Sequence, residues 1–96
     1  MMVKFRFPVG QMVATPAALK ALESVGVVVF DLLLRHGAGD WGDVCAEDAE
    51  ENERSLRMGN RVLSSYTVGT GSEPVKVWIV TEADRSATTV LLPEEY

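Results

Sequence analysis

The chain has 96 residues, 47% apolar and 24% charged, with nine basic against fourteen acidic side chains and a net charge of −5. That length supports one hydrophobic core, so residues 1–96 are read as a single domain. The acidic balance repels phosphate at long range and argues against direct or nonspecific binding to DNA, RNA or anionic lipid. A lone Cys45 excludes an internal disulfide and fits a reducing compartment, the cytoplasm.

No cationic start leads into an apolar stretch with a cleavage site, so no signal peptide is expected. The longest apolar run, Val25 to Leu34, is broken by Gly26 and Asp31 and is too short to span a bilayer. Val3, Phe5, Phe7 and Val9 alternate with Lys4, Arg6 and Pro8, a period of two that predicts a strand, extended by Gln11–Ala14 after a bend at Gly10. Thr15-Pro16 is a helix start, threonine as N-cap and proline in the first turn, and Gly26 supplies the stop. Phe30 to His36 reads as a second helix closed by Gly37; being apolar nearly all round, it should be mostly buried. Ala46 to Met58 predicts a third helix, acids early and bases late, with Glu50–Arg54 and Glu53–Arg57 at i,i+4 spacing.

Three strands follow: Arg61 to Val68, Val75 to Val80, and Ser86 to Leu92. Turns at Gly69–Ser72 and Glu82–Arg85 separate them, and the spacing suits hairpins. The predicted order is β-α-α-α-β-β-β, an α+β fold with helices packed on one face of an antiparallel sheet. Leu19, Leu22, Phe30, Leu33, Leu34, Val77 and Ile79 are the predicted core.

Between the second and third helices lies Arg35-His36-Gly37-Ala38-Gly39-Asp40-Trp41-Gly42-Asp43, which holds the only histidine and one of two tryptophans. His36 near Asp40 and Asp43 can be a general base with an orienting acid, or a helix end beside two capping aspartates. The three lack a recognised metal-ligand spacing, and no phosphate loop, nucleophile elbow or dinucleotide fingerprint is present, so no metal or cofactor is expected. Trp41 is either an interface anchor, a platform for a base, or a lid closing the core from a loop. From Asp40 to Glu53 run seven carboxylates and no basic residue, a charge row that can imitate a phosphate backbone or be a solvated face. Arg85 beside Ser86 could hold a phosphate or carboxylate, or could belong to the turn.

The segments His36–Gly42, Trp78–Ser86 and Leu91–Tyr96 resemble a family of small proteins carried on plasmids and integrative elements, and the likeness runs from Val9 to the C-terminus. Its members bear labels such as plasmid-related protein or methylation subunit of a type I restriction enzyme. The second label does not suit this chain, which lacks an Asn-Pro-Pro-aromatic motif and the length of a methyltransferase domain. The resemblance implies a mobile-element accessory protein and supplies no catalytic residues. The element order also resembles the small RelE-type ribonuclease toxins, which are generally basic, unlike this chain.

The leading expectation is therefore a non-enzymatic binder that inhibits or modulates a host protein, an anti-CRISPR or anti-restriction role being one concrete form. Asp40, Trp41, Asp43, Glu47, Glu50 and Glu51 would meet the partner, a nucleic-acid-binding defence complex. The competing expectation is a small enzyme, RelE-like or other, with His36, Asp40, Tyr66 and Arg85 gathered in one cleft.

Overall fold

A computed structural model describes residues 5–69 and 72–96. It contains β1 (Gln11–Ala14), α1 (Pro16–Ser24), α2 (Val29–Gly37), α3 (Ala46–Met58), β2 (Val62–Val68), β3 (Val75–Thr81), β4 (Ala87–Leu91) and a 3-10 turn at Pro93–Glu95. The expected α+β class and element order are both present. β2, β3 and β4 pair antiparallel as their hairpin spacing dictates, while β1 joins β4 in parallel, so the sheet is mixed, in the order β1-β4-β3-β2. The parallel pairing has a simple cause. β1 and β4 are joined by most of the chain, which leaves ample length for a crossover.

The predicted N-terminal strand is confined to Gln11–Ala14; Val3 and Lys4 lie outside the described residues. Phe5 to Val9 keep the alternation without the pairing. Phe7 and Val9 turn inward onto Trp41 and Val62, so the period of two reflects a strap crossing the core. The hairpin turn expected at Gly69–Ser72 includes Thr70 and Gly71, which also lie outside the described residues.

α1 begins as its sequence dictates: the Thr15 hydroxyl accepts from the Ala18 amide at 3.1 Å, with Pro16 in the first turn. Ala18 and Leu22 from α1, with Leu32 and Leu33 from α2, pack on Tyr66, Val77, Ile79 and Val90 of the sheet. Leu19 and Phe30, expected inside, are 43% and 46% exposed. Each α-helix buries a stripe, and these two residues fall outside the stripes that Leu22, Leu32 and Leu33 define. Gly37 does not end α2 by a left-handed turn. It lies within the helix, where a Cβ would come 2.3 Å from the Phe5 ring, so any larger residue would displace that ring.

α3 covers the outer edge of β2. Asn52 and Ser55 are buried, and Ala49 and Leu56 pack against the cluster of Phe7, Val9, Trp41 and Val62. Gly59 ends α3 in the left-handed conformation, as its position predicts. The i,i+4 ion pairs expected along α3 are not made. Arg54 pairs with Glu51, and Glu53 turns to Arg6 in the N-terminal strap. On the sheet face opposite α1 and α2, the Tyr96 ring meets Trp78 edge-on at 5.5 Å.

Candidate functional site

The loop from Arg35 to Asp43 divides into an inward and an outward half. The inward half starts at His36, whose side chain is fully buried at the end of α2. Its Nδ1 lies 2.6 Å from the Ser64 hydroxyl on β2 and its Nε2 lies 2.8 Å from the Thr81 hydroxyl on β3. Thr81 in turn lies 2.6 Å from the Thr88 hydroxyl on β4, which donates to the Val9 carbonyl at 2.7 Å.

The last bond sets the direction of all the others. Because Thr88 donates to Val9, it accepts from Thr81, and Thr81 then accepts from Nε2–H of His36. The neutral ring accepts from Ser64 at Nδ1. Burial pushes the imidazole down to about 4 from its ordinary 6.5, consistent with this neutral tautomer. Ser64 and His36 have the spacing of a nucleophile and its base, but both are fully buried and the second ring nitrogen meets a hydroxyl rather than a carboxylate. Neither side chain is exposed at the surface of the fold.

Trp41 is the other inward group, 6% exposed, stacked on Phe7 at 6.0 Å and edge-on to His36 at 5.8 Å. Its Nε1–H donates to Glu53 at 3.1 Å, and Glu53 accepts both arms of the Arg6 guanidinium at 2.7 and 2.9 Å. Hydrogen bonding to Arg6 holds the Glu53 carboxyl below its ordinary range. Trp41 is thus the lid of the core and not an exposed anchor. Gly42 lets the chain pass so close to β2 that a Cβ would fall 2.0 Å from the Ser65 carbonyl. There the Trp41 carbonyl accepts from Ser65 N–H at 3.1 Å and Asp43 N–H donates to the Ser65 carbonyl at 2.6 Å.

The outward half is made of charge. Arg35 donates to Asp40 at 2.7 Å and lies over the Tyr66 ring at 4.7 Å. That bond holds the Asp40 carboxyl below its ordinary range. Tyr66 donates to the Asp40 carbonyl at 2.6 Å, and burial pushes its phenol up to about 12. Asp43, Glu47, Asp48 and Glu50 are exposed, and none has a salt bridge or side-chain hydrogen bond among the described residues.

Of the four residues expected in one cleft, Asp40 and Tyr66 meet, through a backbone carbonyl, while His36 faces inward to β2 and β3. Arg85 is elsewhere. Its guanidinium donates to the carbonyls of Asn60, Glu82 and Ser55 at 2.7, 3.0 and 3.1 Å and lies 5.8 Å from the Phe7 ring. It fastens the end of α3 to the turn before β4, which occupies three of its five N–H donors. The aspartates expected beside His36 are also absent from its surroundings. Asp40 is taken by Arg35, and Asp43 is exposed.

Sequence reasoning assigned no inward role to Arg6, Asn52, Glu53, Ser64, Thr81 or Thr88. A signal for the hydroxyls was present: Ser64 shares a strand face with Val62 and Tyr66, and Thr81 with Val77 and Ile79. Among the described residues no group of three or more His, Cys, Asp or Glu side chains could hold a metal ion, and no helix is long and apolar enough to cross a membrane. Comparison with family models, with curated proteins and with solved structures gives no match to this chain.

Proposed function

We propose that this chain is a binding protein whose acidic α3 face engages a basic surface on a protein partner, inhibiting or modulating it. The carrying observation is the division of polar groups. The one imidazole is sealed in the core, whereas Glu47, Asp48 and Glu50 stand exposed along α3, and Asp43 in the loop just before it, without side-chain partners among the described residues. Carboxylates spaced along a rigid helix offer a row of charge to Lys- and Arg-rich grooves of the kind that otherwise hold nucleic acid. Trp41 takes no part in this surface, and Asp40 contributes a carboxylate already shared with Arg35.

The resemblance of His36–Gly42, Trp78–Ser86 and Leu91–Tyr96 to proteins of plasmids and integrative elements supports a setting for this activity. In it the chain is a mobile-element accessory protein, and the partner is a host nucleic-acid-binding defence complex, as in anti-CRISPR or anti-restriction proteins. The test is capture from a host extract by the wild type and by a variant carrying Glu47→Lys, Glu50→Lys and Glu51→Lys. The expected result is a nucleic-acid-binding protein retained by the wild type at low salt, released as salt rises, and missing from the variant. Equal capture by both proteins would overturn the proposal.

A further inference from the structure

The two edges of the sheet are treated differently. On the outer edge of β2, the Asn52 carboxamide accepts from the Leu63 amide at 3.1 Å and donates to the Leu63 carbonyl at 2.8 Å. Two residues on, Trp41 and Asp43 occupy the amide and carbonyl of Ser65. A side-chain amide and a loop thus stand in for a neighbouring strand at Leu63 and Ser65, closing that stretch of the edge.

On β1 nothing comparable is present among the described residues. Gln11 N–H donates to Ser86 at 3.0 Å and Thr15 N–H to Val90 at 2.9 Å, which fixes the alternation. The backbone groups of Gln11, Val13 and Thr15 face β4, and those of Met12 and Ala14 face outward. Among the described residues those outward groups have no partner. The strand Gln11-Met12-Val13-Ala14 carries no charge and no proline, and Met12 and Val13 are 41% and 40% exposed.

We propose that β1 pairs with β1 of a second copy of this chain, antiparallel about a two-fold axis at Val13. The outward groups fix this register, in which the strand is complementary to itself. With Val13 opposite Val13 of the second copy, Met12 stands opposite Ala14, and each such pair exchanges both N–H···O=C bonds. All outward groups of both strands are then satisfied. Val13 falls in a non-hydrogen-bonded site, where Cα atoms are about 4.5 Å apart and two β-branched side chains pack well. The uncharged strand matters, because a chain of net charge −5 meets itself here with no carboxylate within the paired strands. Gly10 and Pro16 bound the pairing to a few residues, short of the roughly 1,200 Å² that stable interfaces bury. The association is therefore expected to be weak, on the order of 1 μM to 1 mM. This surface lies on the opposite sheet edge from α3, so dimerisation and partner binding stand or fall separately.

Sedimentation velocity of the full chain from about 1 μM to about 1 mM tests the proposal. The expected result is a mass that doubles with concentration. Met12→Pro removes an outward N–H while leaving the ladder to β4 intact, and it should weaken association by about tenfold or more at an unchanged melting temperature. Register is read by cysteine pairing in a Cys45→Ser background. Val13→Cys should oxidise to a covalent dimer, and Gln11→Cys, on the same sheet face but off the axis, should not. Should Met12→Pro fail to fold, the two cysteine variants decide alone. A wild type that stays monomeric at the highest concentration would overturn the proposal. So would equal cross-linking of the two cysteine variants, or a dimer that neither Met12→Pro nor Val13→Cys affects.

Discussion

Two rows of polar side chains in this protein face opposite surroundings. His36, Ser64, Thr81 and Thr88 are buried, and each hydroxyl and ring nitrogen is tied to a named neighbour. Asp43, Glu47, Asp48 and Glu50 are exposed, with no side-chain partner among the described residues. In the first row the fold specifies every proton, so a substitution there is felt as stability. In the second the fold specifies no side-chain partner, so a substitution is felt mainly by whatever the surface meets. Function is therefore to be sought on the row that the fold does not need.

The largest expected effect breaks the buried row. His36→Ala leaves the Ser64 hydroxyl without its acceptor and the Thr81 hydroxyl without its donor, and it opens a cavity beneath Trp41 and Phe7. A loss of about 3–5 kcal/mol should appear in denaturant unfolding. A loss below about 1 kcal/mol would show that water or a neighbour replaces the ring and that the row is not fixed.

The pH dependence sharpens the same point. The unfolded chain takes up a proton on His36 near 6.5, whereas the folded chain does not until about 4. The neutral ring's contribution is thus fully present above pH 6.5 and is lost as pH falls toward the folded value, by about 3 kcal/mol in all. Asp40 and Glu53, held low by their arginines, titrate below their ordinary values of 3.8 and 4.5, so their stabilisation is lost only at more acid pH. Melting temperature should therefore fall between pH 6.5 and 4.5 in the wild type, and His36→Gln should flatten that slope. An unchanged slope would assign it to other groups.

Much of this was legible in the sequence, and the failures have physical causes. Helix starts depend on local capping, and Thr15-Pro16 opens α1 as its sequence predicts. The antiparallel strands follow from short turns. Less legible was anything set by distant partners. His36 lies near two aspartates in sequence, but its ring nitrogens meet residues 28 and 45 positions away. Leu19 and Phe30 read as core because their windows are apolar; which face each helix buries is decided by the sheet. The parallel pairing of β1 with β4, likewise, has no local signal at all.

Asn52 tests the comparison inside a single helix, since it sits between exposed carboxylates yet faces inward. Asn52→Leu leaves the Leu63 amide and carbonyl without their partner, at a cost of about 1–3 kcal/mol. It also opens the β2 edge, so the variant should aggregate sooner on heating than a core variant of equal stability. Equal aggregation would mean that α3 shields the edge by bulk alone.

The smallest effect on stability belongs to the exposed row. Glu47→Lys puts a cation near the start of α3, where the helix dipole disfavours it by about 0.3–1 kcal/mol. Glu51→Lys removes the surface pair with Arg54, worth a few tenths more at about 0.2–0.5 kcal/mol. Against this, the triple reversal with Glu50→Lys takes the chain from −5 to about +1, which relieves its self-repulsion. The net change in unfolding free energy should be about 1 kcal/mol or less, within reach of a single chemical melt. A loss of several kcal/mol would mean that these carboxylates hold the fold as the buried row does, and the division between the two rows would fail.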